Sequence, residues 1–147
     1  MNPTGVKPEA DFSAGGVVVR GEDVIVIVPV KRDASGRRVL GLPKGHPEGE
    51  ETPEQAAERE VLEETGARTR LIEKLGDIRY EHDRRGRPVT KQVSFYLFEY
   101  RSGDLADHDH EIERAAWMPL MEASRSLTHE GEREMVTRAL SRSAPER

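Results

Sequence analysis

The sequence predicts an α+β domain in which a mixed sheet carries helices on its faces. Three features lead there. Apolar runs open the chain and return after its middle, a helix marked at both ends stands between them, and helical segments close the chain. Strands, one helix, strands again and then helices is the order expected when helices cover the faces of a sheet.

Residues 1–11 are polar and carry two prolines, and read as a loose leader. The run Ala14-Gly15-Gly16-Val17-Val18-Val19 within 12–20 reads as a strand, and Gly21 to Asp23 as a turn. Residues 24–30 are apolar without alternation, as in a strand buried on both faces. After a turn at Ser35-Gly36, residues 39–42 are expected to form a short strand that delivers the chain into Pro43-Lys44-Gly45. Thr52 is a good N-cap, Pro53 suits the first helical position, Gln55 completes a capping box, and Gly66 stands where a helix ends in the left-handed region. Residues 71–80 and 92–100 read as strands around a basic turn over 83–91. Residues 115–118 form one more short strand, 121–126 and 130–140 read as helices, and 141–147 as a frayed tail. Residues 12–140 would then be one domain.

The chain has 147 residues, enough for one core. Its net charge of −5 argues against a broad footprint on long nucleic acid but leaves room for small anionic ligands bound through a local basic pocket or a metal. There is no cysteine, hence no disulfide, thiolate zinc site or cysteine nucleophile. No secretory leader and no membrane span is legible, so a cytoplasmic protein, monomeric or homodimeric, is expected.

The chemistry concentrates between Gly45 and Ala67, GHPEGEETPEQAAEREVLEETGA. A charge run is usually a solvated helix face. Here Glu60, Glu63 and Glu64 fall within an arc of roughly 100° at 100° per residue. Like charges at i,i+4 destabilise a helix, and acids in its last turn oppose the dipole. A rule broken so often suggests a bound cation, and hard oxygen ligands suit Mg²⁺ or Mn²⁺.

These residues resemble the Nudix box: Gly45, Glu51, Arg59-Glu60, Val61, Glu63-Glu64 and Gly66 stand at its spacing, with Ala67 a small residue at the final aliphatic position. The resemblance implies the Nudix fold, an α/β/α sandwich with a central mixed sheet, and a Mg²⁺-dependent hydrolase that cuts phosphoanhydride bonds by water attack on phosphorus. It implies that Glu60, Glu63, Glu64 and the backbone carbonyl of Lys44 hold the metal, with Mn²⁺ a substitute. Arg59 would pair with Glu51 or Glu60 and orient it. Glu60 would take the proton of the attacking water. Glu111, in the loop His108-Asp109-His110-Glu111, is the candidate base outside the box.

The Pro43-Lys44-Gly45-His46 approach resembles the dinucleoside polyphosphate branch of that family. On that resemblance the Lys44 side chain and Lys91 would meet phosphates; Tyr80, Tyr96 and Phe98 are candidates for stacking a base, although isolated aromatics more often belong to the core. A diadenosine polyphosphate is the expected substrate. A mononucleotide pyrophosphatase acting on oxidised dNTPs, ADP-ribose or nucleotide sugars is the alternative. A binding module without catalysis would normally show a degraded box, and every carboxylate is intact here.

Overall fold

The structure, a computed structural model, describes residues 9–143. Residues 1–8 of the leader expected over 1–11, and 144–147 of the tail expected over 141–147, lie outside the described residues, while α3 runs on through Ser143. The chain runs β1 (Glu9–Arg20), β2 (Asp23–Pro29), β3 (Lys44–Gly45), α1 (Pro53–Thr65), β4 (Ala67–Arg84), β5 (Arg87–Gly103), a 3₁₀ turn (Leu105–Asp107), β6 (Ile112–Pro119), α2 (Leu120–Ser126) and α3 (Glu130–Ser143).

Five strands lie in the order β4-β5-β1-β2-β6, and the short β3 pairs with β1. The β1–β5 pair is parallel and the others are antiparallel, so the sheet is mixed, as expected. Alternation along the strands divides the core. Val17, Val19, Val24, Val26, Phe95 and Leu97 face α2 and α3, against Leu120, Leu127, Met135 and Val136. Val18, Ile25, Tyr96 and Phe98 face the other way, against Ala56, Ala57 and Val61 of α1. Successive strand side chains point to opposite faces, so both halves of an unbroken apolar run find a helix layer. Each fully buried Val, Leu or Phe contributes roughly 1.5–3 kcal/mol. The result is an α/β/α sandwich. Among the described residues no helix is long and apolar enough to cross a membrane.

The structure departs from the sequence expectation in three places. The first strand begins at Glu9, because Glu9, Ala10 and Asp11 pair with Val89, Thr90 and Lys91 of β5. The segment 39–42 is not a strand. It makes one bridge, Ile27 to Gly41, and its other backbone groups are met from the α2–α3 corner: Leu40 N–H donates to Thr128 Oγ1 at 2.8 Å and Leu42 N–H to Glu132 Oε1 at 2.9 Å. The basic stretch 83–91 is not a loop. Arg85 (φ 53°) and Gly86 (φ 80°) close a two-residue turn, which puts every other residue of the stretch into the long β4–β5 hairpin. Tyr96 and Phe98 are core residues beneath α1, the commoner place for an isolated aromatic, which leaves Tyr80 as the stacking candidate of the three.

Candidate active site

Helix α1 builds the site from both of its ends. Thr52 Oγ1 accepts the Gln55 N–H at 3.2 Å and Gln55 Oε1 accepts the Thr52 N–H at 3.0 Å, while Gly66 (φ 77°) donates to the Leu62 carbonyl. On the helix, Ala56, Ala57 and Val61 form the buried stripe. At helical spacing Glu60 and Glu64 continue that stripe where apolar side chains would ordinarily stand. Two acids are thereby carried inward, toward the strand that precedes the box.

There the approach loop passes directly over them. A Cβ on Gly45 would land on the Glu60 carboxylate, so only glycine lets the backbone come this close. One residue earlier, the Lys44 N–H donates to Glu64 Oε1 at 3.0 Å. Burial pushes the Glu64 carboxyl up to about 8; the Lys44 N–H pulls it down, and the Glu60 charge adds to the rise. Burial also raises Glu60, partly offset by Arg59.

Arg59 is the hub of the cluster. It grips Glu51 with two hydrogen bonds, Nε to Oε2 at 2.7 Å and Nη2 to Oε1 at 3.0 Å. Its Nη1 donates to Glu60 Oε2 at 3.1 Å and Glu63 Oε1 at 3.2 Å, and its Nη2 to the His46 carbonyl at 2.9 Å. Charge-assisted, bidentate pairs of this kind are strong and directional. The bond to Glu51 holds the guanidinium more firmly protonated, and Arg59 in turn lowers Glu51.

One guanidinium cannot balance Glu48, Glu51, Glu60, Glu63 and Glu64 together. A buried carboxylate with no opposing cation is costly in a low dielectric. The donor set, oxygen ligands carrying excess negative charge, fits a hard divalent cation. Among the described residues, however, no three acidic or histidine side chains are gathered closely enough to hold one as they stand. Glu60 and Glu64 are brought together at Lys44-Gly45, whereas Glu63 is half exposed and drawn to Arg59. Filling the set requires Glu63 to exchange that partner.

Two cavities adjoin the cluster, and Lys44 and His129 line both. The first, about 340 Å³, is walled by Ile78, Tyr80, Val93, Lys91 and Glu132. Tyr80 is 46% exposed there, which leaves ring area for contact. The second, about 320 Å³, is lined by Glu64, Glu111, Lys31 and Arg32. The Glu111 carbonyl accepts the Val30 N–H at 2.9 Å, and its own N–H donates to Asp109 Oδ1 at 3.0 Å, so its loop is fixed beside the box. His108 bonds the Asp109 carbonyl through Nδ1 instead. A further depression of about 310 Å³ beside Gln55, Leu62 and Arg68 contains neither Lys44 nor any of Glu60, Glu63 and Glu64.

Sequence reasoning missed three residues. Glu132 is only 4% exposed, holds the Leu42 N–H and lies 3.9 Å from Lys44 Nζ. His129 stands between the cavities. Asp11, placed in the leader, binds His46 Nε2 at 2.7 Å and lies 3.8 Å from Lys91 Nζ and 3.7 Å from Arg84 Nη2. Burial opposes its ionisation, but these partners outweigh it and hold Asp11 below its ordinary value. No local pattern marks Asp11 or Glu132, since Asp11 acts on His46, 35 places away in sequence, and Glu132 on Leu42, 90 places away.

A protein of Mycobacterium tuberculosis that carries the mutator name MutT4 is 41% identical over 131 residues, covering 86% of this chain and 53% of its own. An 8-oxo-(d)GTP phosphatase of Mycolicibacterium smegmatis is 32% identical over 104 residues, covering 69% of this chain and 30% of its own. The chain thus spans about half the length of the first relative and less of the second. A NUDIX hydrolase structure from Nitrosomonas europaea superposes with a TM-score of 0.75 at 23% identity, over 93% of this chain and 91% of that one, and shares the fold. The NUDIX domain model matches residues 11–139, and with the box assembled around Arg59 as described, the chain belongs to the NUDIX domain family.

Proposed function

We propose that this chain is a Mg²⁺-dependent hydrolase of nucleoside polyphosphates, and that a purine nucleoside triphosphate is the substrate it fits best. One observation carries the reading. A base-sized cavity with apolar walls, Ile78, Val93 and the Tyr80 ring, opens on Lys44, and Lys44 in turn touches the box carboxylate Glu64 through its backbone. At about 340 Å³ the cavity lies at the small end of ligand sites and suits one nucleobase. The base would stack on Tyr80, and Lys91 and the Lys44 side chain would meet the phosphates.

Glu60, Glu63, Glu64 and the Lys44 carbonyl would hold Mg²⁺, or Mn²⁺ in its place. When bound, the metal neutralises phosphate charge and lowers the pKa of a coordinated water. Arg59 keeps Glu60 aimed through Nη1, and Glu63 would give up its bond to the same nitrogen to join the set. Glu60 accepts the proton of the attacking water at a carboxylate oxygen, and Glu111, facing the second cavity, is the alternative base. The new bond is water oxygen to phosphorus. The anhydride bond that breaks sends its electron pair to the bridging oxygen of the leaving phosphate. The name of one relative, an 8-oxo-(d)GTP phosphatase, supports the mononucleotide reading. A diadenosine polyphosphate remains the second reading, favoured by two cations, Lys44 and Lys91, at one cavity.

The test is a Mg²⁺-dependent hydrolysis screen over dGTP, 8-oxo-dGTP and diadenosine tetraphosphate, with products identified, on wild type, Glu60→Gln and Lys91→Ala. A mononucleotide should give the highest kcat/KM. Glu60→Gln should lose kcat by about a hundredfold or more, with a smaller change in KM. Diadenosine tetraphosphate as best substrate, with Lys91→Ala harming it selectively, would replace the first reading by the second. No Mg²⁺-dependent turnover of any of them would reject both.

A further inference from the structure

Asp11 is the point where three basic side chains from three parts of the chain meet. His46 Nε2 lies 2.7 Å from its Oδ1, and Arg84 Nη2 and Lys91 Nζ lie 3.7 and 3.8 Å from its Oδ2. In the ion pairs of the described residues no other carboxylate faces three. Glu99 faces Arg70 and Arg101, but it is 43% exposed, whereas Asp11 is 16% exposed. Strand pairing puts Asp11 there. Tyr80 pairs with Lys91 and Lys91 with Asp11, so the three stand in one row across β4, β5 and β1. Cross-strand partners share a face of the sheet, and this row therefore continues the wall of the base cavity that Tyr80 and Lys91 form. His46 joins from outside the row, one residue after β3.

The bond to His46 leads on to the box. A carboxylate only accepts, so His46 Nε2 carries a proton and donates to Asp11. The His46 ring is 65% exposed and would otherwise swing in solvent. At the other end of the same residue, the His46 carbonyl accepts from Arg59 Nη2 at 2.9 Å. Pro47 follows His46 and confines its backbone to extended conformations, so a ring held in place leaves the carbonyl few directions to point. Arg59 Nη2 divides its hydrogens between that carbonyl and Glu51 Oε1, which leaves Nη1 to aim Glu60. We infer that Asp11 is a positioning residue of the active site, fixing His46 so that the His46 carbonyl holds Arg59 in line with Glu60. The inference rests on the proposed function and adds a residue of the first strand to its machinery. Asp11 then acts in two ways: its charge, beside Lys91, acts on substrate phosphates, and its acceptor, on His46, acts on the box.

Substitution in the full chain separates the two. Asp11→Asn keeps an acceptor for His46 and removes the charge beside Lys91. Asp11→Ala removes both, and Arg84→Ala removes a partner of Asp11 that lies off the path to Arg59. With a nucleoside triphosphate and Mg²⁺, Asp11→Ala should lose kcat about tenfold, and Asp11→Asn and Arg84→Ala no more than about threefold, while the two Asp11 variants change KM alike. His46→Ala should lose kcat as Asp11→Ala does, and the double variant no more than the worse single one, because both break the same tie. The Nε–H resonance of Arg59 in ¹H–¹⁵N spectra should shift in Asp11→Ala and His46→Ala and stay in place in Asp11→Asn and Arg84→Ala. Urea unfolding is measured on every variant; should Asp11→Ala not fold, His46→Ala, on an exposed side chain, takes its place beside Asp11→Asn. The inference is overturned by wild-type kcat in Asp11→Ala or His46→Ala, by equal kcat losses in the two Asp11 variants, by losses that add in the double variant, or by an Arg59 resonance unmoved in both alanine variants. A chain that hydrolyses no nucleotide would reject the proposed function, and the Arg59 resonance would still decide whether Asp11 positions the guanidinium.

Discussion

Glu64 shows how one side chain can be unfavourable for the fold and useful to the site. Its carboxyl, pushed up to about 8 mainly by burial, binds its proton more tightly in the folded chain than in the unfolded one. The sign follows from linkage. Below about pH 4.5 both states are protonated and nothing is lost. As pH rises toward 8 the unfolded state ionises first, and stability falls until the folded carboxyl also gives up its proton. In EDTA, urea unfolding should therefore show stability falling by about 2–3 kcal/mol between pH 6 and pH 9. Glu64→Gln should flatten that slope. Mg²⁺ should raise the wild-type midpoint at pH 9 and change the variant far less, because a ligand of the folded state stabilises by mass action. A slope that survives in Glu64→Gln would place its origin elsewhere.

The box helix and its two flanking glycines make a contrast at the scale of the element. Gly45 faces the tip of a flexible side chain, Glu60, whereas Gly66 faces the backbone carbonyl of Asp104 and has φ 77°. A glutamate can swing aside; a carbonyl in a pinned turn cannot. Gly45→Ala should consequently keep most of its stability and lose activity by about a hundredfold, since it displaces the base candidate. Gly66→Ala should lower stability by about 2 kcal/mol or more, combining a strained φ with a backbone clash. Measured by urea unfolding and kcat, the reverse pattern would mean that Gly45 is structural. The ends of this helix were legible in sequence because caps are local: Thr52, Pro53, Gln55 and Gly66 act on neighbours within four residues. The carboxylates were legible because they broke helical rules that any sequence displays. The segment 39–42 was misjudged for the opposite reason. Its apolar residues look like a strand, but its partners are Ile27, Thr128 and Glu132, which only the folded chain brings near. Asp11 was hidden in the same way, since the parallel pairing of β1 with β5 joins positions 80 residues apart.

At the scale of the whole molecule, the two helix layers lie on opposite faces of the sheet, and the segment 40–45 lies where both reach it. From one side α1 supplies Glu60 and Glu64 to Lys44-Gly45. From the other, the α2–α3 corner holds Leu40 through Thr128 and Leu42 through Glu132. Thr128 N–H also donates to the Leu40 carbonyl at 2.9 Å, so the clamp is two-way. Placing the approach loop correctly thus depends on packing in both layers, and Glu132 serves structure and site together. Its Oε1 satisfies a backbone N–H on Leu42, a residue only 1% exposed, while Oε2 faces Lys44 Nζ at 3.9 Å across the cavity. The two duties separate by substitution. Glu132→Gln keeps an acceptor for Leu42 and removes the charge opposite Lys44. It should stay within about 1 kcal/mol of wild type in urea and change KM for the polyphosphate. Glu132→Ala leaves the Leu42 N–H buried without a partner, which should cost roughly 2–3 kcal/mol and loosen the approach loop enough to lower kcat as well. The comparison needs only unfolding curves and kcat and KM for the three proteins. If both variants lose the same stability, the charge on Glu132 matters more than its hydrogen bond, and the clamp on Leu42 is not what holds the two layers to the loop.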